Sequence, residues 1–104
     1  MGETYERGNT AKISMTLTDA DGVATDPDAA VSGYKIYITI YDICAKTAVV
    51  DNVQVTDRTG TGLFNYCWQT TSSNNLCQYK LTVSFTKGGY VIVNTDIIKL
   101  VSVA

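Results

Sequence analysis

Alternation of apolar and polar residues recurs along this chain and constrains its fold more than any other feature. The clearest runs span residues 34–42 and 79–85, in which large apolar residues occupy every second position over most of the segment. A period of two is that of a half-buried β-strand. The composition agrees, because Val, Ile, Thr, Tyr, Phe and Trp make up 44 of the 104 residues, whereas Leu, Ala and Glu contribute 5, 8 and 2. The sequence therefore predicts an all-β protein.

Turn-forming residues divide the chain into about seven predicted strands. Residues 19–33 and 58–62 carry the Asp, Gly and Pro that favour loops and turns. The Gly88-Gly89 pair predicts a tight hairpin between the last two strands, since the favoured two-residue turn needs positive φ at both positions. The predicted strands span residues 4–7, 11–18, 34–42, 48–55, 63–68, 79–85 and 90–101.

The last predicted strand has an uncertain phase. Asn94 and Asp96 share a face with Ile92 and Ile98, which would place two polar side chains on the apolar face. We therefore expect a β-bulge near Thr95 that turns these polar side chains outward.

Length and charge limit the classes of function. At 104 residues the chain is expected to form a single domain, residues 1–104. The formal net charge is -2 and no run of Lys or Arg occurs, so nucleic acid is not an expected partner. No apolar stretch approaches the ~20 residues of a membrane span. The chain has no histidine, which removes Ser-His and Cys-His nucleophile pairs and His-based zinc sites, so we do not expect an enzyme.

Several turn and core motifs resemble those of prokaryotic immunoglobulin-like modules, which occur in surface proteins and in structural proteins of tailed viruses. The motifs are Gly8-Asn9-Thr10, Thr18-Asp19-Ala20-Asp21-Gly22, Asp26-Pro27-Asp28, Ile38-Thr39-Ile40-Tyr41-Asp42, Thr61-Gly62 before Phe64, Tyr66 and Trp68, and Gly88-Gly89-Tyr90. The resemblance covers nearly the whole chain and implies an immunoglobulin-like antiparallel β-sandwich of about seven strands. Tyr79 would then be a candidate for the tyrosine corner of such sandwiches.

In this layout the three cysteines fall at one end of the sandwich. Cys44 and Cys77 are the preferred disulfide pair, because the third and sixth strands are neighbours in the immunoglobulin-like sheet. Cys67 would lie at the same end. Four interpretations stay open: one disulfide with a leftover thiol, an intermolecular bridge, a three-thiolate metal site, and three reduced cysteines that pack as small hydrophobes.

The opposite end collects acidic residues. Asp19, Asp21, Asp26 and Asp28 lie within ten residues and could supply oxygen ligands to calcium, the one cofactor that the sequence suggests. Their spacing does not match an EF-hand loop. Aspartates that bond to their own turns explain the same pattern without a metal.

Two surface features could bind partners. Tyr37 and Tyr41 point outward from the third strand, either as a platform for sugars or proteins or as ordinary cross-strand packing. Residues 97–103 are rich in β-branched side chains and would either complete the last strand or add to the sheet of a neighbouring molecule.

These expectations favour a non-enzymatic binding or assembly module with protein partners or self-association. The resemblance points first to a small virion structural protein, such as a capsid decoration or tail component. The alternative is an extracellular module of a secreted adhesin or cell-surface filament, and a third hypothesis is a carbohydrate-binding accessory domain that uses Tyr37 and Tyr41.

Overall fold

A computed structural model describes residues 4–102 and shows an all-β protein, as the alternation predicts. The described part of the chain contains no helix, and therefore none that is long and apolar enough to cross a membrane. Residues 4–102 contain eight strands: β1 (Thr4–Glu6), β2 (Thr10–Thr16), β3 (Ile36–Asp42), β4 (Thr47–Gln54), β5 (Asp57–Gly60), β6 (Leu63–Gln69), β7 (Gln78–Lys87) and β8 (Tyr90–Val101).

The strands form two sheets that pack as a sandwich. One sheet has five strands in the order β1-β8-β7-β3-β4, and the other has three in the order β2-β6-β5. Neighbouring strands are antiparallel except β1 and β8, which run parallel. The chain passes from one sheet to the other between β4 and β5, where Val55 is buried and donates its N–H to the carbonyl of Ile36 at 2.9 Å.

The structure corrects the predicted turn at residues 58–62. Arg58 pairs with Phe64 and Gly60 pairs with Leu63, so this stretch begins as the edge strand β5 and turns only at Thr61-Gly62. Arg58 and Thr59 look like turn residues in sequence because both side chains are exposed on a strand that pairs with β6 alone among the described strands. This strand accounts for the difference between about seven predicted strands and eight observed ones.

Alternate residues of both sheets fill one core. The isoleucines of β3, at positions 36, 38 and 40, are each at most 1% exposed. Trp68 of the three-stranded sheet meets Tyr79 of the five-stranded sheet edge to face, with ring centroids 5.1 Å apart. Inward positions of β2, β6, β7 and β8 contribute most of the remaining core: Ala11, Ile13, Met15, Phe64, Leu81, Val83, Phe85, Ile98 and Leu100.

The bulge expected near Thr95 is wrong. The β7–β8 pairing runs without a register shift from Lys87↔Tyr90 to Gln78↔Lys99. Because the register is regular, Asn94 and Asp96 stay on the inner side of the sheet, where they line a groove at the edge of the sandwich. A polar side chain can remain hydrated there, so the strand does not need to turn it outward. Irregular pairing occurs instead between β3 and β4, where Asn52 has a φ of +50°, and between β5 and β6.

Candidate functional site

The three loops at one end of the sandwich are joined by aspartate side chains. Asp26 and Asp28 belong to the long loop between β2 and β3, and each reaches a different neighbouring turn. The up-and-down order of the strands predicts that these loops meet, and the hydrogen bonds of the structure place them together.

Asp26 holds the β5–β6 turn. Its carboxylate accepts two hydrogen bonds from the Arg58 guanidinium, at 3.0 and 2.8 Å, and one from the N–H of Gly62 at 2.9 Å. These charge-assisted bonds hold the pKa of Asp26 below its ordinary value, with Arg58 as the largest cause. The Arg58 guanidinium also lies 5.7 Å from the centroid of the Tyr34 ring, which fixes its position further.

Asp28 holds the β7–β8 hairpin. Its two carboxylate oxygens accept the N–H groups of Gly88 and Gly89, each at 3.0 Å. These two backbone donors, that of Gly89 first, lower the pKa of Asp28. Both glycines have positive φ, as the hairpin predicts.

Gly62 lies in close contact with neighbouring backbone at this end. Its N–H bonds to Asp26, and its carbonyl accepts the N–H of Leu17 at 2.8 Å. It has a φ of +70°, and a Cβ at this position would lie 2.6 Å from the carbonyl oxygen of Leu17 and 3.0 Å from backbone atoms of Thr25. Only glycine fits both the conformation and the space.

The four aspartates proposed for calcium do not converge. Asp19 accepts the N–H groups of Asp21 and Val23 and so closes its own turn, while Asp26 and Asp28 are bound as described above. Among the described residues, the one group of three or more carboxylate or thiol ligand atoms within 4.8 Å of one another lies elsewhere, at Asp42, Cys44 and Cys77. The acidic loop therefore acts here as turn structure.

The other end of the sandwich carries a disulfide. Cys44 follows β3 and Cys77 precedes β7, and the two are bonded with their Cα atoms 6.5 Å apart. This is the pair that the layout favours, because β3 and β7 are adjacent and antiparallel, with Asp42 opposite Tyr79. The bond joins the β3–β4 turn to the loop before β7.

Partly buried hydrogen bonds join the same two loops beside the disulfide. The carboxylate of Asp42, 3% exposed, accepts the N–H groups of Cys44 and Ala45 at 3.0 Å and the side-chain amide of Asn75 at 2.8 Å. The hydroxyl of buried Tyr79 donates to the carbonyl of Asn75 at 2.7 Å, four residues upstream. This is the geometry of a tyrosine corner. Burial first, and then the charge of Asp42, raise the pKa of Tyr79.

Cys67 does not join the other two cysteines. It lies on β6 in the other sheet, opposite Lys12, and its free thiol is exposed. The up-and-down order of the strands predicts only the end of the sandwich to which a residue is nearer. It does not predict which sheet or which face the residue occupies, and those decide whether thiols meet. With Cys44 and Cys77 bonded to each other, the structure does not assemble the three-thiolate site.

Tyr37 and Tyr41 lie on the outer face of the five-stranded sheet, as their phase on β3 predicts. Tyr41 is 36% exposed and Tyr37 is half-buried. Four residues along a strand place the Cα atoms of the two tyrosines about 13 Å apart. Between them runs a row of threonines across three strands, Thr39, Thr82 and Thr95. The two rings are thus on one face but are not in contact as a pair.

A groove opens along one side of the sandwich, between β2 and β8. Its volume is about 150 Å³, and its wall comes from β2 (Ser14, Met15 and Thr16), from Leu17 directly after β2, from β7 (Leu81 and Val83) and from β8 (Asn94, Thr95 and Asp96). Neither β2 nor the first part of β8 has a second strand neighbour on this side within the described chain. Because a bulge was expected to turn Asn94 and Asp96 outward, the sequence did not predict this groove. Two polar residues in phase with a core face were the signal for an open edge.

Comparison with known proteins adds no relative: no family model, no curated protein and no solved structure matches this chain.

Sequence reasoning missed the cluster around Asp42. The residue ends an apolar strand just before a turn, and an aspartate in that position commonly accepts the following N–H groups. Its side-chain partner Asn75 is 33 residues away, so this contact depends on the adjacency of β3 and β7.

Proposed function

We propose that this chain is a non-catalytic structural or binding module with an immunoglobulin-like fold. The order of its strands supports the fold assignment. Strands β3, β7 and β8 correspond to the C, F and G strands of an immunoglobulin sheet, β4 to an added strand beside C, and β2, β6 and β5 to B, E and D. The tyrosine corner formed by Tyr79 supports the same assignment.

The structural role is supported by one observation: the carboxylates of the loops bind neighbouring loops and turns. Asp26 and Asp28 fasten the turns at one end, and Asp42 with the disulfide fastens the other. Thr70 extends this network, since its buried side chain accepts the N–H of Gly8 and donates to the carbonyl of Asn9. Groups held this way stabilise the domain and leave the sheet faces and edges as its interaction surfaces.

A small structural protein of a prokaryotic virus is the role that we favour, as a capsid decoration or tail component located in the virion. The resemblance in turn motifs and the rigid loop ends support it. Antibodies raised against the purified protein test it by immunogold labelling of virus particles and of intact cells from the source culture. Labelled particles are expected; labelled cells without labelled particles would refute the virion role.

A module of a secreted adhesin or cell-surface filament is the second candidate. The Cys44–Cys77 disulfide favours an oxidising location outside the cytoplasm, which cell surfaces provide. Labelling of intact cells in the same experiment is the expected result for this role.

Carbohydrate binding on the outer sheet face is the third candidate. Tyr37 and Tyr41 present their rings on one face beside hydroxyl-bearing threonines, a combination that suits sugar rings. A glycan array with the wild type and Tyr41→Ala tests it, with Tyr90→Ala as the control because Tyr90 is a more exposed tyrosine, 79%, at the hairpin. Glycan binding that Tyr41→Ala abolishes and Tyr90→Ala retains is the expected result.

A further inference from the structure

Strand β8 is covered along its whole length on one side only. On that side β7 pairs with it from Tyr90 to Lys99. On the other side β1 pairs with Lys99, Leu100 and Val101, and within the described chain no other strand lies there. The segment from Tyr90 to Ile98 is therefore an edge over most of its length.

The hairpin determines which backbone groups face this edge. A two-residue turn makes Lys87 and Tyr90 a hydrogen-bonded pair. The backbone N–H and C=O groups of even-numbered residues of β8 therefore bond to β7, and those of odd-numbered residues face the open edge. Two observed bonds agree. The N–H of Leu100 donates to the carbonyl of Cys77 beside β7, and the N–H of Ile97 donates to the carboxylate of Asp96 at 2.8 Å.

Asp96 marks the end of the usable edge. Its carboxylate already accepts the N–H of Ile97, and an inward-pointing charge is a common means of protecting an edge strand from pairing. Val91, Val93 and Thr95 have no such charged side chain, and by the same alternation their backbone N–H and C=O groups face the open edge of the sheet. The side chains of Val91 and Val93 are 66% and 55% exposed.

We propose that two copies of this chain associate through this edge, as an antiparallel strand pair whose two-fold axis passes through Val93. The inference rests on the proposed structural role and specifies its first assembly contact. Val93 then opposes Val93 and Val91 opposes Thr95, which gives about six backbone hydrogen bonds from three hydrogen-bonded pairs. The two five-stranded sheets become one continuous sheet with an isologous interface.

Charge and register favour a second copy as the occupant. Residues 90–95 carry no charge, and in this register Asp96 opposes Tyr90, so no two like charges lie opposite each other. The register uses the three residues whose backbone groups are free and stops at the N–H that Asp96 already binds. The exposed valines of each copy come to lie beside those of the other on the outer sheet face.

Sedimentation velocity over a range of protein concentrations tests the interface. All proteins carry Cys67→Ser, so that the exposed thiol cannot cross-link copies. Val93→Lys places two lysines directly opposite each other across the axis, with Cα atoms about 5.5 Å apart, and this like-charge pair should raise the dimer dissociation constant at least about tenfold. The matched control is Val53→Lys, which changes an exposed valine on β4 at the other edge of the same sheet and should leave the dimer intact.

Hydrogen exchange gives an independent measurement on the unsubstituted edge. The amides of Val91, Val93 and Thr95 should exchange more slowly at high than at low protein concentration, while the amide of Ile97 changes little. A chain that is monomeric at every concentration, or a dimer that Val53→Lys breaks and Val93→Lys does not, overturns the proposal. Neither result bears on the particle labelling, so failure of this interface is distinguishable from failure of the proposed function.

Discussion

Loss of the Cys44–Cys77 disulfide should remove a large share of the stability of this domain. The two residues are 33 positions apart, and closing a loop of this length in the unfolded chain corresponds to about 3.7 kcal/mol in the chain-entropy model. Domains of this size are stable by about 5–15 kcal/mol. The Cys44→Ser/Cys77→Ser variant should therefore keep its fold, because Asp42 still joins the two loops through Asn75, but with a much smaller margin.

Urea unfolding followed by tryptophan fluorescence measures this loss. Trp68 is buried against Tyr79 and reports on the core. With a slope of about 1.5 kcal/mol/M, the midpoint should fall by about 2.5 M. The single variants Cys44→Ser and Cys77→Ser should each lose as much as the double variant, since either removes the same bond. All are compared in a Cys67→Ser background, and that substitution alone should change stability by less than about 0.5 kcal/mol.

Two results would refute this reasoning. A loss below about 1 kcal/mol in the double variant would show that the bond is absent or does not restrict the unfolded chain. A comparable loss from Cys67→Ser alone would show that Cys67 takes part in the pairing.

Three further predictions concern the loops and the tyrosine corner. Gly62→Ala should lower the free energy of unfolding in urea by at least about 2 kcal/mol, because the new Cβ meets backbone atoms and φ is positive. The control Gly88→Ala, which has positive φ in open space, should lower it by about 1 kcal/mol. Equal losses in the two variants would contradict the close approach at Gly62. Tyr79→Phe removes the corner hydrogen bond and should cost about 1–2 kcal/mol in the same assay, and a neutral result would contradict a structural role for that bond. The lowered pKa values of Asp26 and Asp28 stabilise the fold above the unfolded pKa of about 3.9, and this contribution is lost as pH falls below it through the folded values. In thermal melts from pH 6 to pH 2, the melting temperature should therefore fall less in Asp26→Asn and Asp28→Asn than in the wild type. An unchanged pH profile in these variants would contradict the assignment.

Much of the local structure could be predicted from the sequence. Alternation located strands β2, β3, β6, β7 and β8 within a few residues, because the period of side chains on a strand is a local property. Gly88-Gly89 predicted its hairpin for the same reason, since the turn depends on the φ values of two adjacent residues.

The candidate site was less predictable because its contacts are long-range. Aspartate in a loop indicates a turn, but which turn Asp26 or Asp28 holds depends on loops more than thirty residues away. Cys67 shows the same limit. Its position along β6 was predictable, whereas its separation from Cys44 and Cys77 depends on which sheet β6 joins.

By itself the sequence determined that this chain is built of strands, where most of them lie and which residues of β2, β3 and β7 face inward, since those properties follow from the spacing of apolar side chains. The tertiary structure decided how the strands are divided between two sheets, and therefore which edges remain open. The regular register of β8 is the clearest case. Asn94 and Asp96 could stay inward because no strand within residues 4–102 covers that side of the groove, and the residue pattern along one strand cannot show what lies beside it.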